Sequence, residues 1–182
     1  MGQKKLLFVA IFFLSFLTIG VRPIRAASLG VAGSSAQPKN RLDEEKEDPR
    51  VIKLKSFLLE KNSILAEYAD CFIASADKHG LGEYDLDFLV PAITGLESSF
   101  GKRYPRGTHN AYGWASGAYS WDSWEESIDH VTRVLRQKYI DRGADTVSKI
   151  GPIYAESPTW AQRVALIKKQ IESFNPQPSL TI

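Results

Sequence analysis

Between residues 62 and 176 apolar side chains return every three or four positions in four separate stretches, the spacing that lines one face of a helix. From Asn62, the residues Ile64, Leu65, Tyr68, Ala69, Phe72, Ile73 and Ala76 make the first stripe, and Gly80 stands where that helix should end. Leu86, Leu89, Val90, Ile93 and Leu96 predict a second helix, with Asp85 or Asp87 as its start signal, Pro91 tolerable only in its first turn, and Gly101 past its end. The third opens with Ser123 and, three residues on, Glu126. This capping box precedes Trp124, Ile128, Val131 and Leu135, and Gly143 closes the run. The last begins at Ser157-Pro158 and carries Trp160, Val164, Ile167, Ile171 and Phe174 before Pro176 stops it. No long β alternation occurs, so the fold class is mostly α. Cys71 lies beside the first stripe as a packed thiol, and a single cysteine allows no intrachain disulfide.

The N-terminal pattern differs. Lys4 and Lys5 precede the apolar run Leu6 to Val21, and Ala26, Ala27 and Ser28 offer a cleavage region. Residues 1–27 therefore read as a signal peptide or an N-terminal anchor, and in either case the working domain is exported. Residues 28–50 hold Gly30, Gly33, Ser34, Ser35 and Pro38 and then a charge run from Arg41 to Asp48, a composition that suits a flexible tether. The folded domain is expected over 51–176, with 177–182 as a tail.

Charge narrows the possible partners. The chain has 23 Lys and Arg against 21 Asp and Glu, and the segment up to residue 26 contains four of the bases and no acid. The remaining body is near neutral, which argues against a nucleic-acid partner bound by bulk phosphate neutralisation. His79, His109 and His130 are scattered and form no ligand pattern, so neither metal nor cofactor is expected. The tether suits a monomer working away from the membrane, which it would touch only through an uncleaved N-terminal segment.

Two features carry candidate chemistry. Residues 104–124 contain six aromatics in 21 positions, Tyr104, Tyr112, Trp114, Tyr119, Trp121 and Trp124, without helical period. They either cover a core, with Trp121 and Trp124 stapling a helix start, or line a groove whose rings stack on sugar faces, with Asn110 as a fixed polar contact. The second feature is Glu97, a carboxylate in the last turn of an apolar helix. Helix-end dipole and apolar surroundings both favour its neutral form, which is what a general acid near neutral pH requires. The alternative is an exposed helix-end residue paired with Lys102 or Arg103.

Glu97-Ser-Ser-Phe-Gly101 resembles the Glu-Ser-x-Phe signature of lysozyme-like transglycosylases and glucosaminidases. Asn110-Ala-Tyr-Gly-Trp114 is similar to the Asn-x-Phe-Gly segment of bacterial cell-wall endo-β-N-acetylglucosaminidases, and Ser123-Trp-Glu-Glu-Ser-Ile128 to their Ser-x-x-Glu-Ser-Ile helix start. Tyr154-Ala-Glu-Ser-Pro-Thr-Trp-Ala-Gln-Arg-Val164 resembles their Tyr-Ala-x-Asp-Pro-x-Tyr-Ala-x-x-Val block. The resemblance implies a lysozyme-like α domain with a small aromatic-rich loop or hairpin lobe, acting on peptidoglycan or a related N-acetylhexosamine glycan. It implies Glu97 as the acid that protonates the leaving oxygen and Tyr154 as a second catalytic residue, whose hydroxyl orients the acetamido group or the intermediate. Ser98, Asn110, Tyr112, Trp114 and Tyr119 become candidate substrate contacts.

One departure matters. The family often has a second carboxylate in the hairpin lobe, whereas no Asp or Glu lies between Glu97 and Asp122. Hydrolysis assisted by the substrate's own N-acetyl group and lytic transglycosylation through the 6-hydroxyl of muramic acid both remain open, as does a glycan-binding module with weak chemistry. Asp122, Glu125 and Glu126 are the nearest acids to consider for a conventional pair.

Overall fold

The computed structural model describes residues 47–176. The expected N-terminal signal or anchor, most of the tether and the C-terminal tail lie outside the described residues.

Six α-helices follow one another: α1 Pro49–Glu60, α2 Ala69–Lys78, α3 Leu89–Ser98, α4 Trp124–Lys138, α5 Val147–Tyr154 and α6 Trp160–Glu172. Short 3-10 turns at Ile64–Tyr68, Gly82–Tyr84, Trp114–Gly117 and Ile140–Arg142 join them, and the described residues contain no strand. The chain is mostly α.

α1 lies partly within the expected tether. Asp48 caps it, accepting a hydrogen bond from Arg50 N at 2.7 Å, and Pro49 occupies the first turn, where a missing N–H costs nothing. Leu54, Phe57 and Leu58 bury its inner face. The single helix expected from residue 62 to 80 is divided. Ser63 caps a 3-10 turn, which passes into α2 at Ala69, and Gly80 at φ +66° ends the segment as its position suggested.

α3 is the central element. Leu89 to Thr94 and Ser98 are buried, as expected of a helix that is apolar nearly all round. Neither Asp85 nor Asp87 starts it. Phe88 holds the cap position without a side-chain bond, while Asp87 pairs with Arg50 at 2.7 Å and Asp85 with Lys168 at 3.1 Å. Pro91 falls in the first turn. The main packing partner of α3 is α6, and α2 packs on α4.

α4 starts as the capping pattern requires, with Ser123 Oγ accepting from Glu126 N at 3.1 Å. The Glu126 carboxylate reaches one residue further back than in the standard box and accepts from Asp122 N at 2.9 Å. α5 has no counterpart among the predicted helices, because Gly151 and Pro152 hide it. Pro152 lies on the exposed side, and Gly151 is required because a Cβ there would approach Ala161 Cβ of α6 to 2.6 Å. α6 matches its stripe, with Trp160, Val164 and Ile171 buried.

Candidate active site at the end of the third helix

Glu97 is the penultimate residue of α3, and the chain reverses immediately after it. Ser99, Phe100 and Gly101 all take left-handed backbone angles, φ 54°, 59° and 74°. Side chains fix this turn. Ser98 Oγ donates to Thr94 O at 2.9 Å and accepts from Gly101 N at 2.9 Å, and Ser63 Oγ donates to Phe100 O at 2.7 Å. The Phe100 ring folds back over α3, so that a Cβ on Gly95 would approach it to 2.6 Å. The ring also meets Phe57 edge-on at 5.5 Å. The expectation that Ser98 contacts substrate is therefore corrected: it is 3 % exposed and both roles of its hydroxyl are taken by backbone.

The Glu97 carboxylate itself is held from α6. Trp160 Nε1–H donates to its Oε1 at 2.7 Å. Its Oε2 faces the backbone of Gly113, where a Cβ would come within 3.0 Å of that oxygen. Glu97 remains an exposed residue, so solvent reaches it, yet the surrounding protein raises its pKa above the usual carboxylate value. Loss of hydration is the chief cause, and the hydrogen bond from Trp160 and the nearby charge of Arg163 oppose it. Pairing with Lys102 is not seen, since that ammonium donates to Lys61 O at 2.9 Å.

Gly113 is presented to the carboxylate by a loop that Asn110 ties together. The Asn110 side chain accepts from Tyr112 N at 3.3 Å and from Trp114 N at 3.2 Å, and donates to Trp114 O at 2.9 Å and Tyr119 O at 3.0 Å. With all four bonds to backbone and 2 % exposure, Asn110 shapes the loop and does not meet a ligand, contrary to expectation. Tyr112 is corrected likewise. It is 1 % exposed, its ring packs against Trp121 and its hydroxyl meets Ser127 Oγ at 3.3 Å, so it belongs to the core.

Tyr154 lies next to the acid in a different role from the expected one. Its hydroxyl accepts from Trp114 Nε1 at 3.0 Å and donates to Tyr112 O at 3.2 Å, so its proton is committed to the loop. Burial and the neighbouring Glu97 charge push its pKa well up, which keeps it neutral. Its ring stacks on Trp160 with centroids 4.6 Å apart, supporting the residue that holds Glu97.

The remaining aromatics divide into two clusters. Trp114, Tyr119 and Trp121 surround His130 at centroid distances of 5.6, 5.8 and 5.7 Å, and burial, then the Arg133 charge, lower the His130 pKa. Trp124 instead packs on Tyr68, Tyr104 and His109. Trp121 and Trp124 thus anchor separate clusters and do not staple each other. Trp114 is 7 % exposed, too little for a sugar platform, whereas Tyr119 is half-buried and keeps part of its surface at the solvent.

The structure brings Glu97, Tyr112, Trp114 and Tyr154 into one connected assembly, and adds Trp160 and Gly113. Trp160 was legible only as part of an apolar stripe. Its position in the Tyr154–Val164 block, where the motif that this block resembles has a tyrosine, was the available signal. Of the acids considered as a second carboxylate, Asp122 and Glu125 are exposed and Glu126 is taken up locally. Glu126 caps α4, and the Glu125 charge acts on Tyr68 and Cys71 of the α2 region. Burial and Asp70 raise the Cys71 thiol to about 11, so it stays protonated near neutrality. Among the described residues no group of His, Cys, Asp and Glu is arranged to hold a metal ion. No protein-family model matches the chain, and no curated protein matches it.

Proposed function

We propose that this domain is an exported lysozyme-like enzyme that cleaves the glycan strands of peptidoglycan or a related β-1,4-linked N-acetylhexosamine polymer, with Glu97 as general acid. The observation that carries the reading is the setting of Glu97: a solvent-reached carboxyl, harder to ionise than usual, and fixed at Oε1 by the Trp160 N–H. Such a group holds a proton at pH values where an ordinary glutamate has lost it, and can deliver it to a glycosidic oxygen as the bond breaks. Supporting this are the four sequence blocks that resemble cell-wall glucosaminidases, three of which supply residues around Glu97.

The groups that act on the Glu97 carboxyl are Trp160 and Arg163 and no second carboxylate, so in this reading the anomeric carbon is attacked by a nucleophile from the substrate. Attack by the 2-acetamido oxygen, followed by water, gives N-acetylglucosaminidase-type hydrolysis. The second reading, favoured by the same lack of a partner carboxylate, is attack by the 6-hydroxyl of muramic acid, which gives an anhydro end and a lytic transglycosylase.

The test is mass spectrometry of purified peptidoglycan strands after incubation with the full chain, with Glu97→Gln alongside. Reducing ends that the variant fails to produce are the expected result. Anhydro-muramic ends would establish the second reading. Unchanged strands that nonetheless bind would make the domain a glycan-binding module, and cleavage undiminished in Glu97→Gln would remove Glu97 from the chemistry.

A further inference from the structure

The two oxygens of Glu97 are not equivalent. Oε1 accepts from the Trp160 indole at 2.7 Å, while Oε2 lies beside the Cβ-less Gly113. An indole N–H donates and never accepts. In the neutral acid the carbonyl oxygen is the stronger acceptor, so the oxygen facing the indole favours that role and the acidic hydrogen favours the other atom.

We propose that Trp160 is the positioning residue that fixes the reactive proton of Glu97 on Oε2, so that the proton is delivered along the side of the site formed by Gly113. The proposal rests on the reading of Glu97 as a general acid. Three observations make Trp160 suited to this task. It is the first residue of α6, the main partner of the helix carrying Glu97, so the two side chains are joined by well-packed elements. Its ring is buried and stacked on Tyr154, whose hydroxyl is bonded to Trp114 and to Tyr112 O, so the indole has little freedom to turn. Finally, the backbone beside Oε2 is left-handed at φ +74° and lacks a Cβ, which keeps room at the donating oxygen. The carboxyl is oriented before substrate arrives, and a glycosidic oxygen must approach from the Gly113 side to receive the proton.

The chain has four tryptophans, so the Trp160 indole N–H can be followed as one of four resonances in a nitrogen–proton correlation spectrum, assigned by its loss in Trp160→Phe. In the wild-type full chain this resonance is expected to titrate with a single midpoint that Glu97→Gln abolishes. It should stay at a strongly hydrogen-bonded position on the acid side, because Oε1 still accepts when the proton is on Oε2. A resonance that does not titrate, or that moves at low pH to the position of a water-bonded indole, overturns the proposal.

Activity supplies the second measurement. The acid must be protonated, so cleavage falls as pH rises through its pKa. Trp160→Phe removes a donor that favours the carboxylate, and its basic limb is expected about one pH unit higher, a tenfold change in the acid constant. A limb unmoved in a folded variant counts against the proposal. If Trp160→Phe fails to fold, replacement of Trp160 by benzothienylalanine, which keeps the shape and lacks the N–H, makes the same test. Absence of any cleavage while the wild-type indole still titrates would overturn the enzymatic reading and leave the proton's location established.

Discussion

A carboxyl that resists ionisation in the folded chain binds its proton more readily folded than unfolded, and stability then depends on pH with a definite sign. The Glu97 pKa is raised on folding, so ionising it opposes the folded state. Its contribution is neutral below the unfolded value of about 4.3 and turns unfavourable as pH rises through the folded pKa. Glu97→Gln is thus expected to melt at a higher temperature than the wild type at pH 7, with the difference vanishing near pH 4, as calorimetry at the two pH values would show. An unchanged melting temperature at pH 7 would mean that the surroundings do not disfavour the charge. Glu97 was legible from the sequence because a carboxylate ending an apolar helix is out of place. Trp160 and Gly113 were not, since their roles exist only where residues far apart in the chain meet.

The loop of residues 110–114 is built around one side chain, and so its stability is concentrated there. Asn110→Ala removes four hydrogen bonds and leaves buried backbone groups unpaired, with an expected loss of about 2–4 kcal/mol in urea unfolding. Cleavage should fall with it, because Gly113 loses its fixed place beside Glu97. At the end of α3, Gly95→Ala drives a methyl into the Phe100 ring, and an expected cost of about 1–3 kcal/mol follows from overpacking. A variant as stable as the wild type would show that the ring can move without disturbing the turn. At this scale the stripes of α3, α4 and α6 were readable, since burial follows their periodicity. α1 was masked by the charge run before it, and α5 by a glycine and a proline that tertiary packing tolerates. The aromatic density of residues 104–124 was equally visible. Its meaning was ambiguous, because rings that pack on one another and rings that stack on a ligand leave the same pattern in a sequence.

The domain depends on residues ahead of the boundary expected at Val51. Arg50 bonds to Asp48, Asp77 and Asp87 at 2.6 to 2.8 Å, joining the start of α1 to the end of α2 and the approach to α3. Asp48 also caps α1. A chain beginning at Val51 is therefore expected to be less stable than one beginning at Glu47 by about 1–3 kcal/mol, measured by denaturant unfolding. Equal stability would show that the Arg50 bonds are exchanged for water without loss.

The bond between Trp160 and Glu97 spans 63 residues of sequence and brings the last helix onto the third. During synthesis Glu97 emerges long before its partner. Until α6 has docked, Glu97 lacks its Trp160 partner and the packing of α6 on α3, and with them part of the burial that raises its pKa. The site is thus completed only where the last helix docks on the third, and not by the local structure around Glu97. A chain that stops short of Trp160 carries Glu97 without the bond that orients its carboxyl.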